Sequence, residues 1–363
     1  MKRIAIALAC SLALVACTDG AKPAPTLVSD PTPASPPARS ALPEPAGQPS
    51  VRSIEPGEGI DFPDSAPLIV VTGCWQCDGP PNSIIRLRKR DDGSIGERYL
   101  RGSPISGYAV SHDGSRIAVS RCVGPNCGVL GVPPGPVDTE IVVSEDGGAT
   151  FSDPVVLEGA HSLVGFTFDQ LVIRGPYTQL EEDTPAFLFP SMQPLPGPNP
   201  DAGSPLPLPS EVLWASLDRR TLFGSDGAVL AKFEGVITQV VPLTADGSRL
   251  AIVTYPEVTM RTPRYRLDIV VRTPGGLVIE ESVENRLGIL EVGGALGDGR
   301  LVVNLTLPVD LVPTSDGAAE RIVNFLPAIL DLNDAVAHPL TDPFLREPYL
   351  GGRNLIIAVL QGP

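Results

Sequence analysis

Short apolar runs, each opened by a glycine-bearing turn, recur along this chain. They read HDGSRIAVS from His112, ADGSRLAIV from Ala245, GDGRLVVN from Gly297 and GGRNLIIAV from Gly351. A degenerate copy, FDQLVIRG, starts at Phe168, and an isolated run, PLIVVTG, starts at Pro67. A run of this length bounded by turn residues predicts a strand packed between neighbours. Successive copies are spaced roughly 50 residues apart, with one interval of about 77, and a period of that size in β-rich sequence means a propeller or an array. The long interval contains the Pro-rich residues 181–210. These read as an insertion whose removal restores the period.

Between these runs lies a second repeated element, two β-rich runs joined by a turn. Its copies start at Ser83 (SIIRLRKRDDGSIGERYL), Thr139 (TEIVVSEDGGATFSDPVVL), Glu211 (EVLWASLDRRTLFGSDGAVLAKF), Tyr265 (YRLDIVVRTPGGLVIEESV) and Asn324 (NFLPAILDLNDAVAHPL). Asp-Gly and Gly-Gly between such runs predict hairpins, because their turns need residues that accept positive φ. No amphipathic stretch of helical period is long enough to predict a helix. Each unit is thus four strands, which cannot bury both faces alone; radial packing solves that and leaves short, protected edges. The expected fold class is all-β, a β-propeller of four-stranded blades. Six blades sealed by mixing N- and C-terminal strands is the simplest closure, and five is the alternative. The long second-to-third-strand connections, at 74–82, 122–138, 175–210, 256–264 and 307–322, would share one face, where binding residues usually sit.

The N-terminus differs from this body. Lys2 and Arg3 precede an apolar run, Ile4–Ala16, too short to span a bilayer. It ends in Leu14-Val15-Ala16-Cys17, which resembles the lipobox of a bacterial lipoprotein signal peptide. The resemblance implies that residues 1–16 are removed and that Cys17 carries lipid, placing the protein on the membrane through that residue. Asp directly after the cysteine is that family's inner-membrane retention signal. Here Thr18 follows and Asp19 comes one place later, so the outer membrane is favoured. Residues 17–66 are rich in Pro, Ala and Ser without an apolar period and read as an extended tether of a lipidated Cys and linker. Residues 67–363 are left for the propeller.

Composition narrows the partners. The formal net charge is −15, and no basic stripe is present, so nucleic acid is not expected. Apart from Cys10 and Cys17, the cysteines are Cys74, Cys77, Cys122 and Cys127, at equivalent places in adjacent units. In an exported chain they read as disulfides, with all three pairings open. The CWQC motif lacks the βαβ context of a redox site. Glu181-Glu182-Asp183 lacks the spaced ligands of a calcium loop. No metal site, cofactor or catalytic set can be nominated, and the three histidines, His112, His161 and His338, do not form one.

Ser144-Glu-Asp146-Gly-Gly148-Ala-Thr150-Phe151 resembles the Asp-box, S-x-D-x-G-x-T-W, with Phe in place of Trp. That box is common in sialidases and other β-propellers, where it lies on turns away from the catalytic centre, so the resemblance implies a structural turn and carries no activity. The HDGSRIAVS and ADGSRLAIV phrases resemble the repeats of TolB-type and WD40-like propellers, families that mostly act as interaction platforms. The expected function is therefore a monomeric, lipid-anchored propeller of the cell envelope. It would bind a protein or polysaccharide partner on its long-loop face. The rivals are a surface glycoside hydrolase or lyase, and a structural envelope lipoprotein.

Overall fold

The computed structural model describes residues 49–61, 68–72, 82–88, 95–101, 105–124, 137–168, 170–176, 184–256, 264–296, 298–313, 319–341 and 354–359. All belong to one unit, Glu44–Pro363. Two short strands, β1 (Arg52–Ser53) and β2 (Glu55–Pro56), form an N-terminal arm. Sheet I holds β3 (Leu68–Thr72), β4 (Asn82–Arg88) and β5 (Ile95–Arg101), and the last strand, β26 (Asn354–Val359), joins it beside β3. Sheet II holds β6 (Ile105–Val110), β7 (Ile117–Val123), β8 (Asp138–Ser144) and β9 (Val155–Leu157). Sheet III holds β10 (Ser162–Thr167), β11 (Gln170–Arg174), β12 (Ala186–Phe189) and β13 (Gln193–Pro194). Sheet IV holds β14 (Ala202–Pro207), β15 (Val212–Ser216), β16 (Thr221–Phe223) and β17 (Val229–Lys232). Sheet V holds β18 (Val236–Pro242), β19 (Arg249–Tyr255), β20 (Tyr265–Thr273) and β21 (Gly276–Asn285). Sheet VI holds β22 (Leu290–Ala295), β23 (Leu301–Pro313), β24 (Ala319–Asp331) and β25 (Val336–Pro339). There is no helix among the described residues. The architecture is a β-propeller of four-stranded antiparallel sheets.

The repeat has a geometric signature that residue identities do not show. In every sheet the pairing of first and second strands carries one register shift, as at Leu163/Gly165, Ala202/Ser204, Ile237/Gln239 and Val292/Gly294. A bulge bends and twists its strand, and here it always falls on the strand nearest the axis. Second strands are the most buried: Ile117–Ser120, Leu171–Ile173 and Leu250–Thr254 are buried without interruption. A strand covered on both faces reads as a continuous apolar run. This is why these strands dominated the sequence pattern.

Several expectations are corrected. Residues 181–210 are not an insertion. Within them lie β12, β13 and β14, and the interval of about 77 residues holds sheet IV. The prolines that disguise these strands sit on sheet edges, where no ladder donor is needed. Pro194 lies in the outermost strand of sheet III, and Pro205 and Pro207 lie in the innermost strand of sheet IV. The Glu211 copy holds the second, third and fourth strands of sheet IV, not one hairpin. GGRNLIIAV supplies β26, a first strand, not a second. Residues 307–313 and 319–322 of a supposed loop extend the β23–β24 hairpin.

The tether read to residue 66 also carries structure. β1 pairs in parallel with β21, and β2 with β25, so the arm adds a fifth strand first to sheet V and then to sheet VI. Arg52 fastens it, donating to the Asn333 carbonyl at 2.7 Å, to the Leu332 carbonyl and to Glu281 at 3.0 Å. Ile54, between the two strands, is buried in the core between sheets V and VI.

Candidate functional site

In a meander, first-to-second and third-to-fourth connections emerge on one side of the sheet, and the remaining connections on the other. The first side is built on one recurring turn. Ser111 and Ser144 hydroxyls donate to Asp113 and Asp146 at 2.6 and 2.8 Å. Each hydroxyl also accepts a backbone amide, from Arg116 and Gly148 respectively. Thr244, Asp246 and Ser248 make a related turn. In the Ser144 turn, Thr150 donates to Asp146 from both its amide and its hydroxyl at 2.7 Å, with Gly147 and Gly148 at φ 65° and 86°. These bonds, the Thr150 hydroxyl first, hold the Asp146 carboxyl at about 2. Its oxygens are engaged within the turn.

The axis contains a cavity of about 280 Å³ walled by β6, β10, β14, β18 and β22, the described first strands with described side chains. Its polar groups are few. Burial pushes the Tyr108 phenol up to about 12, helped by the Glu291 charge. Burial lowers the His112 imidazole against the opposing pull of Asp113. Gln239 is fully used, donating to the Val292 carbonyl and accepting from the Val292 amide, both at 2.8 Å, so it ties sheet V to sheet VI.

The second side carries a different chemistry. Arg174 ends β11, and its guanidinium reaches the Ser204 hydroxyl at 3.2 Å and the Thr184 carbonyl at 3.4 Å. Arg219 sits in the β15–β16 turn at φ 57°. Its amide donates to Ser216 at 2.8 Å, and its carbonyl accepts from Ile237 at 2.7 Å, so the backbone is fixed between sheets IV and V. The Arg219 Nε and the Thr184 Oγ1 are buried and make no hydrogen bond. Burial lowers the Arg219 pKa, the Arg174 charge lowers it further and Tyr255 opposes both. Tyr255 stacks on Tyr265 with ring centroids 5.7 Å apart. Beside Thr184 a second cavity, of about 290 Å³, runs between sheets III and IV against Trp214 and Leu217. Two guanidinium cations close enough for one charge to act on the other suit an oxyanion.

Of the residues singled out from sequence, Ser144, Asp146, Gly148 and Thr150 share one turn, on the side opposite Arg219. Cys17, Cys74, Cys77 and Cys127 lie outside the described residues, as do Glu181, Glu182 and Asp183. Cys122, near the end of β7, takes part in a disulfide. Among the described residues no group of three or more His, Cys, Asp or Glu could hold a metal ion. Sequence reasoning missed Arg219 and Thr184. The one available signal was the motif Ser216-x-Asp218, a copy of the Ser144 turn with arginines where the glycines stand.

The fold and its two sides define a β-propeller whose second-to-third-strand side bears a cationic corner. No family model and no curated protein matches the chain. Among solved structures it is similar to the acylaminoacyl peptidase of Pyrococcus horikoshii, at 12% identity and TM-score 0.40. That match covers 72% of this chain and 42% of the peptidase, so the chain spans less than half of that protein. It is also similar to a chain of a mitotic checkpoint complex, at 12% identity and TM-score 0.40, covering 84% of this chain and 99% of the other. Likenesses this distant carry no argument about activity.

Proposed function

We propose that this protein is a binding platform of the cell envelope, held by lipid on Cys17, that engages a protein or polysaccharide partner through the side bearing Arg174 and Arg219. The carrying observation is the Arg219 guanidinium held near the like charge of Arg174 on a backbone fixed by two hydrogen bonds. Like charges held close together on a rigid scaffold disfavour one another, and such a pair suits a partner of opposite charge rather than the fold's own stability. The opposite side spends its polar groups on its own turns. We read the Ser144–Phe151 turn as an Asp-box and each of the six sheets as one blade.

Two measurements test the proposal. Labelled fatty acid should enter the wild type and not Cys17→Ser; incorporation in both rejects the anchor. A photo-crosslinking residue at Leu217, exposed beside Arg219, should capture a partner in intact cells, whereas one at Glu145, on the opposite turns, should not. Capture from Glu145 alone rejects the assignment of the face.

A further inference from the structure

We infer that the axial cavity is a binding site for an uncharged sugar, held by the Tyr108 hydroxyl and the His112 imidazole and entered from the side opposite Arg219. The inference is independent of the platform reading, which concerns the other side of the ring.

The described first strands enclose about 280 Å³ around the axis. Ser111, His112 and Pro209 line this space from beyond the ends of β6 and β14, so it reaches the side of the first-to-second turns. Tyr108 and His112 are half-buried on its wall and keep accessible surface. The other two polar side chains of the wall are spent. Ser111 is bonded to Asp113 and to the Arg116 amide, and Gln239 to both backbone groups of Val292. The Tyr108 hydroxyl and the His112 ring nitrogens make no hydrogen bond among the described residues. The backbone of the wall is also open in places. Val164 and Gly293 are the residues skipped by the register shifts of β10 and β22, and a bulged residue lacks a partner across the ladder. Gly293 and Gly294 add no side chain, which lets a ligand approach the β22 backbone closely.

The wall selects against charge. No Asp, Glu, Lys or Arg lines the cavity, so a charged ligand would lose its hydration with no counter-charge to replace it. Burial keeps the two free groups neutral as well. It pushes the phenol up to about 12 and lowers the imidazole below its ordinary value. The phenol then offers a donor, and the imidazole one donor and one acceptor. A hydroxyl group both gives and accepts hydrogen bonds, so a polyol matches this pair. Phe166, Pro207 and Pro242 make the rest of the wall flat and apolar, which suits the C–H faces of a sugar ring. A dry cavity of about 150 Å³ takes one benzene ring. The axial space therefore has room for one six-membered ring with its substituents.

The test uses the full-length protein in a sugar-free detergent. Ligand-observed saturation-transfer NMR is recorded with glucose, galactose, mannose and N-acetylglucosamine, and with glucuronate and glucosamine as charged counterparts. At least one neutral sugar should give a saturable signal that exceeds those of the charged pair. Its Kd, titrated by the same signal, should rise about three- to tenfold in Tyr108→Phe, which removes one hydroxyl and leaves the ring in place. Val240→Phe, on the cavity wall, should fill the space and abolish binding. Melting curves check that both variants fold, and Tyr108→Phe decides the matter if Val240→Phe does not. Binding of none of the four neutral sugars, equal binding of the charged counterparts, or an unaltered Kd in Tyr108→Phe would each overturn the inference. Leu217 crosslinking separates the two readings. If it captures no partner while a neutral sugar still binds, the platform falls and the axial site stands. If it captures a partner and no sugar binds, the axial site falls and the platform stands.

Discussion

The junction of sheets V and VI and the junction of sheets III and IV solve the same packing problem differently. Eighteen buried apolar residues fill the first, including Ile54 from the N-terminal arm, whereas the comparable cluster at the second is Ala186, Trp214 and Phe223. Polar groups differ in the same sense. At the first junction Gln239 bonds both backbone groups of Val292. Asn285 donates to the Ile289 and Thr306 carbonyls and accepts from the Leu287 amide. Buried Asp268 is held by Arg266 and Ser282. At the second junction the Thr184 hydroxyl makes no hydrogen bond. One junction is closed upon itself and supplies stability. The other keeps an unbonded hydroxyl and a cavity.

The sharpest break of this contrast is large-to-small substitution. Ile269→Ala, fully buried between sheets V and VI, should cost about 2–5 kcal/mol, because the packed neighbours leave a cavity. Leu195→Ala, half-buried between sheets III and IV, should cost about 1 kcal/mol or less, since it empties into an existing cavity. Equal losses in urea denaturation would erase the distinction. Next in size is Gln239→Leu, which strands the Val292 amide and carbonyl; the expected loss is about 1–3 kcal/mol.

Acid probes the turns at both places. The Asp246 carboxyl in sheet V is held at about 2, chiefly by the Ser248 amide, and Asp218 in sheet IV is lowered by the Ser216 hydroxyl. A carboxylate whose folded pKa is depressed stabilises fully above its unfolded value near 3.8, and the contribution is lost as pH falls toward 2. Asp246→Asn should therefore flatten the fall in melting temperature between pH 4 and pH 2, and an unchanged acid limb would deny the turn its role. His112 acts in a higher window. Its lowered pKa means that the unfolded chain binds the proton more readily, so stability declines as pH drops below about 6.5, and His112→Gln should remove that decline.

The smallest expected effect is the most diagnostic. Thr184→Val removes a hydroxyl that bonds to nothing, so stability should change by about 0.5 kcal/mol or less, or rise slightly. A loss like that of Gln239→Leu would mean that the hydroxyl is structural and that the two junctions do not differ.

What could be read from sequence follows the same division. Second strands such as Leu250–Thr254 are covered on both faces, and their unbroken apolar runs were visible at once. β13 and β14 are hidden in the sequence because edge strands have no such requirement. Prolines there cost no ladder bond, and their turn-like composition imitated an insertion. β15, VLWAS, opens without a glycine turn and lies inside the Glu211 copy of the second element, while β26, a first strand, has such a turn and imitates a second strand. The Ser144 turn was legible because its bonds are local. The Arg174–Arg219 corner was not, since it joins residues from different sheets, and only the fold brings them together.

The pairing of β26 with β3 has a consequence for how the chain reaches this state. β3 cannot complete its sheet until residues 354–359 arrive, and β1 and β2 wait for strands more than two hundred residues later. Pairings of such sequence separation form slowly, and strand edges left open meanwhile invite association with other chains. A polypeptide that emerges N-terminus first must therefore carry sheet I incomplete and its arm undocked through most of its own synthesis. Sheets II to IV, whose strands are consecutive, can form as they appear. The ring closes last, at the seam that joins its two ends.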